Sequence, residues 1–289
     1  MIILMALLAC QGNPSDRLTW RESWQIVGLD ADGTFIDGSV TVGNTGLLRG
    51  QGHLRVSLYP RTESPVLLHG GAGPNEVLIE KEEVRLGSDS LSLEEKTWTL
   101  AVREGQEALD ATIRLTRPVG EVGPVTLQGG ERQWLLGLPV PFGTLTGVWR
   151  AGEQVGLIDG VGCGIRQAGD AWPSDDRRSL YIFTRSEMIG VELKGDEALA
   201  WMSDEDGVQV GHTAVITEGD RTLSVSLLPD LPFEAEISLN QHITVAPQEH
   251  LTALEAIASE AAFGEPEVKL WRGWADWSEG RGRAFYKTR

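Results

Sequence analysis

Alternation of apolar and polar residues with a period of two constrains this chain more than any other feature. Leu109, Ala111, Ile113 and Leu115 alternate with Asp110, Thr112, Arg114 and Thr116, the pattern of a strand with one dry face and one wet face. Trp98, Leu100 and Val102 repeat it, as do Leu223, Val225 and Leu227 against Thr222, Ser224 and Ser226. Similar runs lie near 22–29, 34–42, 52–59, 76–85, 132–138, 143–150, 179–185, 189–194 and 207–216. Turn-forming residues separate them: Asp30-Ala31-Asp32-Gly33, Asn44-Thr45-Gly46, Gly70-Gly71-Ala72-Gly73-Pro74 and Asp204-Glu205-Asp206-Gly207. Strands recurring roughly every 8–12 residues, with turns rather than helices between them, predict a mainly β, antiparallel barrel or sandwich. A parallel α/β sheet is excluded.

One segment breaks the pattern. Leu251, Leu254, Ala258 and Ala261 fall at helical spacing with Ile257 beside them. Pro247 suits a first turn, Gly264 a C′ position, and Pro266 blocks continuation, so a single helix is expected over 247–263. The tail beyond it carries Trp271, Trp274, Trp277, Phe285 and Tyr286, too aromatic to remain in solvent, and is expected to return as closing strands.

A chain of 289 residues can hold one large β domain or two smaller ones. Trp24 leads to Asp30-x-Asp32-Gly33, and Trp201 to Asp204-x-Asp206-Gly207, a faint internal echo. Pro139 and Pro141 interrupt the pairing pattern between the two. The expected organisation is a leader and linker over 1–16, a β lobe over 17–138, and a second lobe over 139–289.

The net charge of −17 excludes nucleic acid as a partner, since phosphate backbones need clustered Lys/Arg and the only adjacent arginine pair is Arg177-Arg178. It also disfavours electrostatic docking of the whole chain on anionic lipid. The start of the chain points to an address. An apolar run, Ile2 to Ala9, is too short to span a bilayer and leads into Leu7-Leu8-Ala9-Cys10 followed by polar Gln11-Gly12-Asn13. A small residue before Cys is the arrangement cut and lipidated in bacterial lipoproteins, so Cys10 is the expected lipidation site and the bacterial cell envelope the expected location, with ordinary secretion as the first alternative and a cytosolic protein as the second. The membrane contact would then be through the lipid anchor only. Cys163 would be the one remaining thiol, and is read as a small buried residue.

Most apparent chemical motifs dissolve on inspection. His69-Gly70-Gly71 looks like an oxyanion loop, but no Gly-x-Ser-x-Gly accompanies it, so it reads as a plain loop. Asp159-Gly160-Val161-Gly162-Cys163-Gly164 lacks the following helix of a phosphate cradle and reads as a barrel corner. The Asp-x-Asp-Gly segments lack the remaining ligands of a calcium loop and read as hairpin turns. The five histidines have no metal-ligand spacing, and neither a metal nor a cofactor is implied. Ten tryptophans stand out, because indole pairs a large apolar face with one N–H donor. Trp24, Trp98, Trp149 and Trp201 fall in strands and are the candidate ligand-binding residues; no catalytic residue can be assigned.

Three segments stand out together: Glu22-Ser23-Trp24-Gln25 running to Asp30-x-Asp32-Gly33-Thr34-Phe35 with Gly43-Asn44, then Pro141-Phe142-Gly143-Thr144 with Gly152-Glu153 and Leu157-x-Asp159-Gly160, and finally Gly282-Arg283-Ala284-Phe285-Tyr286. In these the chain resembles the lipocalin-related family of carotenoid 1,2-hydratases (hydroxyneurosporene synthases), AttH-like proteins and yeast survival-factor proteins. The resemblance implies two consecutive lipocalin-like barrels and an apolar pocket for isoprenoid- or polyketide-like molecules. Where the hydratases carry an aromatic and His/Asp-x-x-Trp-Gly type segment, this chain has Asp159 to Gln167, so the resemblance transfers no catalytic residue.

The leading expectation is a lipid-anchored, lipocalin-like protein that binds a hydrophobic small molecule. A hydratase- or cyclase-type enzyme is the second, and it requires a carboxylic acid facing the interior beside a tryptophan. A scaffold with a protein partner, unidentified by sequence, is the third.

Overall fold

The computed structural model describes residues 20–45, 48–61, 64–80, 83–94, 97–104, 109–116, 121–129, 132–170, 177–245 and 268–288. All regular structure in them is β. The first twelve strands are β1 (Trp20–Asp30), β2 (Phe35–Thr45), β3 (Leu48–Tyr59), β4 (Val66–Ala72), β5 (Val77–Ile79) and β6 (Glu83–Leu86), then β7 (Asp89–Glu94), β8 (Thr97–Glu104), β9 (Leu109–Thr116), β10 (Val122–Gly129), β11 (Arg132–Ala151) and β12 (Gln154–Asp170). The other nine are β13 (Arg177–Phe183), β14 (Glu187–Lys194), β15 (Glu197–Asp204), β16 (Val208–Gly211), β17 (Val215–Glu218), β18 (Thr222–Ser226), β19 (Glu234–Val245), β20 (Val268–Trp277) and β21 (Gly280–Thr288).

They form two antiparallel, barrel-like sheets. In the first the order is β4-β3-β2-β1-β12-β11-β9-β8-β7-β6-β5, with β10 paired to β11. In the second it is β16-β15-β14-β13-β21-β20-β19-β18-β17. Pairing of β1 with β12 and of β13 with β21 joins the two ends of each sheet's sequence. The first sheet curls onto itself: a side chain at Gly52 in β3 would collide with Leu86 of β6 and lie 2.9 Å from Val77 of β5. The antiparallel β architecture read from the strand pattern, and the two barrels that the family resemblance implies, are the ones observed.

Period-two alternation then sorts residues into layers. On β1, Glu22, Trp24 and Ile26 face inward, while Gln25 and Val27 face outward. Each barrel has its own core: Ile36, Val40, Leu54, Val56 and Leu100 in the first, Leu180, Ile182, Val191, Ile237 and Ala284 in the second. A third cluster joins their facing outer surfaces, with Val27, Phe35, Cys163 and Ile165 against Tyr181, Phe183, Trp201 and Phe285. Phe35 and Phe285 stack across this layer with centroids 4.0 Å apart.

Several local expectations change. Pro139 and Pro141 do not end a lobe; β11 runs through them, and its register with β12 shifts between Gly137 and Val140 and again between Val140 and Gly143. Bulges absorb the missing N–H groups without ending the strand. The sheets divide instead between Asp170 and Arg177. His69-Gly70-Gly71 lies in β4 rather than a loop, and Gly160, Gly162 and Gly164 belong to β12 rather than a corner. The tail does return as β20 and β21, and the Asp-x-Asp-Gly segments are turns, with Asp32 accepting from Thr34 N–H at 2.7 Å and Asp204 from Gly207 N–H at 2.9 Å. Helix 247–263, Cys10 and the rest of the leader lie outside the described residues. No helix among the described residues is long and apolar enough to cross a membrane.

Candidate functional site inside the first barrel

The inner face of β1 begins with a carboxylate. Glu22 stands in phase with Trp24 and Ile26, and 5% of its surface is exposed. On β12, Arg166 is the direct cross-strand partner of Trp24, so its side chain emerges on the same face. Arg166 donates to Glu22 Oε1 through Nε at 2.8 Å and also through Nη2. Its guanidinium carbon lies 5.4 Å from the centre of the Trp24 ring, within cation–π range. Burial pushes the Glu22 carboxyl up; the charge and hydrogen bonds of Arg166 only partly offset this, and the pKa remains raised.

Trp98 reaches the same interior from the opposite wall. Its ring packs over bare Gly164, where a Cβ would stand 3.2 Å from two ring atoms. Gly164 sits two residues before Arg166, on the same face of β12. The Trp98 indole N–H is buried without a hydrogen-bond partner. One region of the interior therefore offers an ion pair, two indoles and a spare N–H donor. Arg166 itself keeps further N–H groups, because a guanidinium has five and Glu22 engages two nitrogens.

The other two candidate tryptophans stand farther from the ion pair in sequence register. Trp149 is half-buried near the tip of the β11–β12 hairpin, opposite Gly156, whose missing side chain makes room for its ring. Trp201 is fully buried in the layer between the barrels, against Gly190 and tilted onto Tyr181 at 6.4 Å. The structure brings Trp24 and Trp98 into one interior, packs Trp149 against the edge of the same core, and leaves Trp201 outside it. Glu22 and Arg166 were absent from the sequence-based candidates. Glu22 had a readable signal, a charge in phase with an apolar strand face. Arg166 had none, being 144 positions from its partner.

A second set of buried charges lies between the barrels. Asp37 accepts from Gln25 at 2.7 Å, Arg55 at 3.0 Å and Lys287 at 3.0 Å. Glu192 accepts from Arg177 at 3.0 Å, Ser179 at 2.9 Å and Tyr181. Lys287 comes from β21 and Asp37 from β2, so this network fixes how the barrels dock. Among the described residues no three His, Cys, Asp or Glu side chains gather as a metal site.

Comparison with solved structures places the fold. A Nitrosomonas europaea protein provisionally named AttH (NE1406) superposes with a TM-score of 0.60 at 12% identity, over 93% of this chain and 92% of its own. CghA, solved with Sch210972, superposes with a TM-score of 0.55 at 9% identity, over 93% of this chain and 87% of its own. This chain has their fold. No family model matches the sequence, and no curated protein matches it. At such identities the likeness to AttH and CghA is one of architecture, and the chemistry must come from this chain's own residues.

Proposed function

We propose that this protein binds a hydrophobic small molecule carrying one neutral polar group, isoprenoid-like or lipid-like in size, inside its first barrel. The Glu22–Arg166 pair against Trp24, on an otherwise apolar wall, carries this reading. Such a pair costs desolvation in an apolar interior and is rarely the most stable filling for one. Its retention is explained by a task. Because the two charges balance, an anionic ligand would bring an uncompensated buried charge, whereas a carbonyl or hydroxyl could accept a spare Arg166 N–H while its apolar body lies on the indoles. CghA, of the same fold, was solved with Sch210972, which supports a ligand-holding role for the architecture.

The isoprenoid ketone β-ionone, its hydrocarbon analogue and its carboxylate analogue provide the test, titrated against indole fluorescence. Saturable binding that prefers the ketone and weakens in Arg166→Gln is expected. Equal binding of all three, unchanged in the variant, would sink the reading.

A second reading, an acid-catalysed hydratase or cyclase, draws on the raised pKa of Glu22 beside Trp24. It expects deuterium from D2O to enter an isoprenoid alkene in the wild type and not in Glu22→Gln. Retention of that exchange in the variant would exclude Glu22 as the acid. We also propose that Cys10 anchors the protein to the bacterial envelope; Cys10→Ala should move it from the membrane fraction to the soluble one.

A further inference from the structure

Four arginines gather where the turn ends of the two barrels adjoin, in a chain of net charge −17. Arg61 follows β3, and Arg272, Arg281 and Arg283 lie on β20 and β21. Arg283 is the cross-strand partner of Trp274, and its guanidinium carbon lies 3.7 Å from the centre of that ring. Arg281 stands 4.6 Å from the same ring. Arg61 arrives from the other barrel and meets Arg283 over the bare α-carbon of Gly33: a Cβ there would lie 2.9 Å from Arg61 Cδ and 3.9 Å from Arg283 Nη2. Arg272 donates to the carbonyls of Pro60, at 2.7 Å, and Tyr59, which pins the segment bearing Arg61 to β20.

The carboxylates of this region have partners other than Arg61 and Arg283. Asp276 pairs with Arg281 at 3.1 Å. Asp30 accepts from the N–H groups of Ala31 and Asp159, and Asp32 from that of Thr34. Glu279 lies near Glu187. Among the described residues no ion pair joins Arg61 or Arg283 to a carboxylate. Of the four guanidinium groups, Arg281 has a carboxylate partner, whereas Arg61 and Arg283 face each other with none in contact among the described residues. Burial, Arg283 and Arg61 hold Arg272 down to about 10, and burial with Arg61 and Arg281 lowers Arg283, so the cluster is under like-charge repulsion. An anion would relieve that repulsion, and the indole, Gly33 and the two carbonyls hold the cations in place before it arrives.

We infer that this cluster is a binding site for a phosphate group, with Arg61 and Arg283 as its direct donors and Arg281 at its rim. The several oxygens of a phosphate suit two planar guanidinium forks better than the two of a carboxylate. Gly33 keeps the approach open. The site lies toward the Asp30 end of β1, eight residues from Glu22 or about 26 Å at ~3.3 Å per residue, so it is separate from the barrel interior.

Calorimetric titration of the full chain with inorganic phosphate, at constant ionic strength set with chloride, tests the site. Saturable binding is expected, weakened about tenfold or more in Arg61→Gln and in Arg283→Gln and unchanged in Arg85→Gln, a remote exposed control. Arg61 is exposed, so its variant should fold even if Arg283→Gln does not. Flotation with phosphatidylglycerol or phosphatidylcholine vesicles separates the sources. Retention on phosphatidylglycerol alone, lost in Arg61→Gln, assigns a lipid headgroup, and phosphate binding without that retention assigns a soluble phosphoester. No saturable phosphate binding, or equal loss in Arg85→Gln, overturns the inference.

Discussion

Replacing Arg166 by Met leaves Glu22 buried on an apolar wall with no counter-ion. Removing one partner of a buried pair costs about 3–5 kcal/mol, much of it the desolvation of the charge left behind. At about 2–4 °C per kcal/mol for a β unit of this size, the melting temperature should fall by roughly 6–20 °C at pH 7. The pH dependence identifies the cause. The Glu22 carboxyl is already raised by burial with Arg166 present, and loss of Arg166 removes the influence that opposes the rise. The folded state then binds the Glu22 proton more tightly than the unfolded state. Stability is therefore highest below the ordinary glutamate pKa and declines as pH rises through the window above it. Denaturant melts at pH 4.5 and pH 7 should show Arg166→Met approaching wild type at the lower pH. The double variant Glu22→Met/Arg166→Met, which removes both charges, should lie within about 1.5 kcal/mol of wild type or above it. If Arg166→Met costs no more than Arg85→Met and shows no acid rescue, Glu22 is solvated and the site is not the one described.

Three further outcomes follow from other parts of the fold. Burial raises the Asp37 carboxyl, but Lys287 and Arg55 outweigh it and hold the group well below the usual carboxylate range; its stabilising contribution is fully present above the ordinary Asp pKa and is lost progressively as pH falls from there through the lowered folded-state value, and Asp37→Asn should flatten that acid limb in denaturant melts. Cys163 is buried, and desolvation raises its thiol well above the ordinary value, so a thiol reagent such as dithionitrobenzoate should label it in denaturant and not in the native protein. A Cβ at Gly190 would fall within the Trp201 ring, so Gly190→Ala should destabilise by about 1–3 kcal/mol or more, and the paired change Trp201→Leu should recover part of that loss.

Much of the fold was legible because burial in a β protein writes itself into the sequence at period two. The run Leu109 to Thr116 and the aromatic tail became strands as their patterns required. Pro139 and Pro141 misled because proline forbids one ladder hydrogen bond, and a bulge can absorb that without ending the strand. The glycines of β12 read as a corner because local sequence does not reveal Trp98 arriving from another strand to cover Gly164. The same limit applies to the site. Trp24 could be singled out by composition and position, whereas Arg166 became recognisable only once β1 and β12 paired across 144 positions. The Arg61–Arg283 meeting was hidden for the same reason, since its members come from two different sheets.

Native mass spectrometry of the full chain purified from its own host tests the central proposal most directly. A bound apolar molecule with a carbonyl or hydroxyl group should accompany the wild-type protein and be lost from Arg166→Gln. A wild-type protein that carries no such molecule, or an Arg166→Gln variant that retains it fully, would contradict a ligand site at Glu22, Arg166 and Trp24.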